Sequence, residues 1–121
     1  MFEKFINLNK AEINENHQET VAEVTINFGR PKSEIDQKRL DGDIYKILKT
    51  KEISIRLTES GELKVNDGNT TLLNALKEKV DLDFINVVYT THPKWTKEGE
   101  GEYLRTNLAE LLERAREVQE D

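Results

Sequence analysis

A chain of 121 residues has room for one core, and with 36% hydrophobic and 35% charged residues that core is small and the surface heavily ionised. The absence of cysteine excludes disulfides, thiolate zinc sites, iron–sulfur clusters and cysteine nucleophiles, and it fits a reducing compartment. The net charge of −6 argues against gripping nucleic acid by charge alone, yet the excess is uneven: residues 29–64 carry nine basic and seven acidic groups, residues 98–121 three and eight.

In chain order, Phe2 to Leu8 and Ala11 to Ile13 are weak strand candidates, and Asn14 to Glu19 reads as a polar loop around His17. Runs such as Phe5–Leu8 are too short to span a membrane, and the N-terminal stretch lacks the basic-then-apolar layout of a secretion signal. Thr20 to Phe28 alternates cleanly, with Ala22, Val24, Ile26 and Phe28 on one side, which predicts a strand with one buried face, ending at Gly29-Arg30-Pro31. Ile44 to Lys49 fits either a strand or a helical turn. Ile53, Ile55 and Leu57 alternate with Ser54, Arg56 and Thr58, and after Glu59-Ser60-Gly61 the pattern resumes at Leu63 and Val65, which predicts a β-hairpin.

Asn69 or Thr70 is placed to cap a helix whose face is Leu72, Leu73, Leu76 and Val80. Phe84 to Tyr89, apolar on nearly both faces, predicts a doubly covered central strand. Thr90 to Gly101 is the longest loop candidate. From about Glu102, Leu104, Leu108, Leu111, Leu112, Ala115 and Val118 mark a second helix, with Glu110 and Arg114 paired at i, i+4. These elements predict one α+β domain over residues 1–121, a twisted mixed or antiparallel sheet with two helices, with a partly closed barrel compatible.

Catalytic constellations are incomplete. His17 sits in a polar run and His92 precedes Pro93; none of Ser33, Ser54 and Ser60 has a nucleophile elbow around it. Asp41-Gly42-Asp43 and Asp81-Leu82-Asp83 lack the further ligands of a calcium loop and read as turns before strands. Gly99-Glu100-Gly101 is a poor phosphate cradle because carboxylates crowd it. The expectation is a cytoplasmic, non-enzymatic protein with no cofactor and no metal.

Binding chemistry concentrates in two places. Lys94, Trp95 and Lys97 set the single tryptophan among lysines, the combination that stacks bases and meets phosphates; the more usual arrangement is a ring folded over the core with its lysines in water. Arg30, Lys32, Lys38 and Arg39 form a second basic cluster, which is also what an ordinary solvated loop looks like. A shared face for the two clusters is the condition for a nucleic-acid site. The alternative partner is a protein or a second copy, docked through the C-terminal helix or an open sheet edge.

Three stretches, Asn9-Lys10-Ala11-Glu12-Ile13, Val24-Thr25-Ile26-Asn27-Phe28-Gly29-Arg30-Pro31 and Thr91-His92-Pro93-Lys94-Trp95-Thr96-Lys97, resemble the PrgU-type proteins encoded with conjugation operons of Gram-positive bacteria. The resemblance implies a PUA-like pseudo-barrel with flanking helices and a regulatory role at the RNA level that limits surface adhesins of a conjugation system. It carries no functional residues onto this chain.

Overall fold

The computed structural model describes residues 18–31, 34–35, 42–91 and 103–120. Among these residues six strands form one mixed sheet: β1 (Gln18–Val21), β2 (Val24–Asn27), β3 (Ile53–Leu57), β4 (Leu63–Asp67), β5 (Asn86–Thr90) and β6 (Leu104–Asn107). Their spatial order is β1-β2-β4-β3-β5-β6. The pairs β2–β4 and β3–β5 are parallel and the other three antiparallel. The sheet is open, with β1 and β6 at its edges among the described residues, so the barrel reading of the pattern is not what these strands build. Among the described residues three complete helices, rather than two, accompany it: α1 (Ile44–Thr50), α2 (Asn69–Lys77) and α3 (Leu108–Glu120), with a 3₁₀ turn over Leu82–Phe84. None of them is long and apolar enough to cross a membrane.

The expected alternation holds at the centre of the sheet. Val24, Ile26, Ile53, Ile55, Leu57, Leu63, Val65, Val87 and Tyr89 are buried in one cluster. The same cluster takes Ile44 and Leu48 from α1, Leu72, Leu73 and Ala75 from α2, and Leu108, Leu111, Leu112 and Ala115 from α3. The opposite sheet face carries Thr25, Asn27, Ser54, Arg56 and Lys64, half-buried or exposed. A one-residue register shift between Ser54 and Ile55 passes over Asn66, a bulge that strengthens the local twist.

Four sequence expectations change. The strand read over Thr20–Phe28 is a hairpin, because Ala22 and Glu23 take left-handed φ values of 48° and 66° and reverse the chain. Neither is the Asn or Gly that usually announces such a turn. The last helix begins at Leu108, not near Glu102: Leu104–Asn107 pairs with β5, and the Asn107 Oδ1 accepts from the Glu110 N–H at 2.9 Å, capping the helix. Asn69 and Thr70 do not cap α2, which starts from Gly68; the Asn69 Oδ1 instead accepts from the Gly29 N–H at 2.9 Å, tying the end of β2 to the helix. Asp43 precedes a helix rather than a strand, and its Oδ1 caps α1 by accepting from the Tyr45 N–H at 2.9 Å. Phe2 to Leu8, Ala11 to Ile13, both histidines and the loop beyond Thr91 lie outside the described residues.

Helix α3 closes onto the β3–β4 turn. Gly61 has φ +84°, and a Cβ there would stand 2.7 Å from the Ala115 carbonyl oxygen; the Gln119 Nε2 donates to the Gly61 oxygen at 3.1 Å. Gly61→Ala is expected to cost about 2–3 kcal/mol, because strain and overlap coincide, and denaturant titration reads it. Replacing Ala22-Glu23 by Asn-Gly is expected to add about 1 kcal/mol by relieving two left-handed side chains, seen as a higher denaturation midpoint at unchanged m-value.

Candidate functional site

Helix α1 is anchored by two core residues one turn apart, Ile44 and Leu48. The positions next to them, Tyr45 and Lys49, form an adjacent stripe at i, i+4. Tyr45 is 51% exposed. Across from it lies the 3₁₀ turn, held by Asp81, whose Oδ1 accepts from the Asp83 N–H at 3.0 Å and whose carbonyl accepts from the Phe84 N–H at 2.9 Å. Ile85 is fully buried, so the turn is pinned from behind while the Phe84 ring is 63% exposed. An exposed phenylalanine on a backbone held this firmly is an apolar surface kept in water by design of the turn, not by fraying.

The two rings share a hollow of about 330 Å³ with Leu48, Lys49, Asp83 and Asn86. A second hollow of about 300 Å³ adjoins it, since both are lined by Leu48, Lys49 and Asn86; it adds Lys51, Glu52 and Arg105. Together they make a groove along α1 and the starts of β3 and β5, each half at the small end of ligand-site sizes. Arg105 pairs with Glu52 in the open, which leaves that pair weakly coupled. Among the described residues Lys49 and Lys51 make no ion pair. No group of three or more histidine or acidic side chains among the described residues is placed to hold a metal ion.

Of the residues singled out by sequence, Arg30 is described. It follows β2, is half-exposed, and faces Glu34 at 3.7 Å. Lys32, Lys38, Arg39, Lys94, Trp95 and Lys97 lie outside the described residues. The strand directions locate where the two basic stretches join the sheet. Because β2 runs parallel to β4 and β5 antiparallel in sense to it, Arg30 lies toward the end where β4 finishes, and Thr91 at the end where β4 begins. The groove is at the Arg30 end.

No family model, curated protein or solved structure matches this chain.

Sequence reasoning missed the groove. Its signal was present in Ile44 to Lys51, where a tyrosine and three lysines fall within one short helix and the residue that ends it, the same interleaving that drew attention to Trp95. Phe84 was absorbed into the apolar run that follows it. Tyr45→Ser and Phe84→Ser are each expected to change stability by less than about 0.5 kcal/mol, as exposed side chains do. A larger loss in thermal denaturation would show that the rings serve the core.

Proposed function

We propose that this domain is a non-catalytic regulatory protein that binds single-stranded RNA in the α1 groove, limiting production of surface proteins of a conjugation system as the PrgU-type resemblance implies. The observation that carries the reading is the pairing of two exposed rings, Tyr45 and Phe84, with Lys49 and Lys51 along one groove. Flat rings stack on unpaired bases and lysines meet the phosphates between them. Asn86 adds an amide at the point where the two hollows join, suited to a base edge.

The overall charge of −6 shapes the binding. With the acidic excess lying in residues 1–28 and 98–121, long-range attraction to RNA is weak, and contact depends on stacking plus a few local cations. Affinity is therefore moderate and falls only modestly with salt, since few phosphates are neutralised.

A second reading, pairing between copies, draws on one observation: Leu104 is 51% exposed on the edge strand β6. The apolar stripe of α3 faces the core, so the helix offers a partner mainly its charged side.

Fluorescence anisotropy with short labelled RNAs, including segments of the transcript that encodes the chain, tests the proposal. Binding at low salt is expected, weakened about 10- to 100-fold by Tyr45→Ala with Phe84→Ala. Lys49→Gln with Lys51→Gln is expected to flatten the salt dependence. Absence of binding to every RNA at low salt, with a dimer in sedimentation, would favour the edge-strand reading instead.

A further inference from the structure

The polar face of the sheet carries one row of side chains in register, running Gln18, Asn27, Lys64, Arg56 and Thr90 across five strands. Its two charged members are both cations, and they stand directly opposite each other on the antiparallel strands β3 and β4. Like charges in that relation repel. A chain with an acidic excess has carboxylates enough to neutralise them, yet among the described residues neither Arg56 nor Lys64 makes an ion pair or a side-chain hydrogen bond. Arg56 is also half-buried, which strips part of the hydration that would otherwise offset the repulsion.

Both cations line a hollow of about 450 Å³ at the end of the sheet opposite the α1 groove, together with Thr58, Ser60 and Thr91. The Thr58 and Ser60 hydroxyl oxygens are 3.0 Å apart, and the Thr58 Oγ1 also accepts from the Glu62 N–H at 3.0 Å. One hydroxyl proton serves the bond between them, and the other is left to donate outward. Glu59 and Glu62 line the same hollow, and Glu62 takes the Asn27 amide at 3.5 Å. Two carboxylates beside two cations disfavour a doubly charged guest and suit a singly charged one.

We infer that the cross-strand pair Arg56–Lys64 is the seat of a phosphodiester group, with the Arg56 fork meeting two of its oxygens and Lys64 acting as a point charge beside it. The anion converts a repulsive pair into a bridged one. The site does not depend on the α1 groove; it rests on the RNA reading only for the source of the phosphodiester, which is either the RNA backbone or a small soluble phosphodiester.

Amide and arginine side-chain NMR signals of the full chain, titrated with dimethyl phosphate against sodium chloride at equal ionic strength, test the seat itself. Saturable shifts confined to Arg56, Thr58, Lys64 and Thr91 are expected, abolished in R56Q and in K64Q. A titration indistinguishable from chloride overturns the inference, and so does retention of the shifts in both variants. K64Q is expected to keep or raise the melting temperature in anion-free buffer; a fall of several degrees would mark Lys64 as a structural residue and count against the seat. The source is read separately from RNA binding: a salt slope reduced by about 0.7 in R56Q identifies the backbone of the bound strand. An unchanged slope, or no RNA binding at all, alongside saturable dimethyl phosphate shifts assigns the seat to a small phosphodiester.

Discussion

The alternation along β3 is the constraint from which the other features follow. Ile53, Ile55 and Leu57 enter the core while Ser54 and Arg56 face the other way, and β3 is laddered on both sides, to β4 and to β5. A slip of one residue would drive Arg56 into the apolar cluster and expose three large aliphatic side chains, so the register is strongly specified. With β3 set, the parallel partner β5 places Asn86 at the groove and Thr91 at the opposite hollow.

The helices are fixed against that frame by their buried apolar faces and by close backbone approaches. Gly68 begins α2 with φ +89° and brings the backbone to where a Cβ would lie 3.1 Å from the Ile53 Cγ1. Lys79 closes the same helix with φ 56°, and the Val80 N–H returns to the Ala75 carbonyl at 3.0 Å, folding Val80 into the core. At the start of α3 the Glu110 carboxyl is held below its usual range, chiefly by the Thr106 hydroxyl and then by the Arg114 guanidinium. Its stabilising influence is thus present above the ordinary carboxylate range and is lost as pH falls through its lowered value. The junction between β6 and α3 is consequently polar and solvent-facing, with the core contact supplied by Leu108, whose N–H donates to the Ile85 carbonyl at 2.8 Å.

Sequence legibility divides along physical lines. The β3–β4 hairpin could be read because Gly61 supplies the left-handed turn that the two alternating runs require, and β5 because its run is β-branched and apolar. The β1–β2 turn was hidden, since alanine and glutamate adopt a conformation that composition does not advertise. Leu104 fits the 3/4 spacing of the helix that follows, so hydrophobic periodicity extends α3 backwards; the stop is Asn107, a cap whose role is visible once Glu110 is seen to donate to it. The candidate groove was obscure for a related reason. Exposed rings resemble core rings in sequence, and only the anchoring of Ile44, Leu48 and Ile85 reveals which way Tyr45 and Phe84 are left to point.

The two parallel ladders have a consequence for how the chain reaches this state. The β3–β4 hairpin joins neighbours in sequence, but β2 meets β4 across a stretch that contains α1 and all of β3, and β3 meets β5 across β4 and α2. Loop-closure entropy must be met before those pairings form, so the hairpin and α2 are the natural nucleus and the β1–β2 edge is the last to dock. The same order in reverse makes that edge the first to open, with fast amide exchange at Gln18–Val21 while β3 stays protected until the whole domain unfolds.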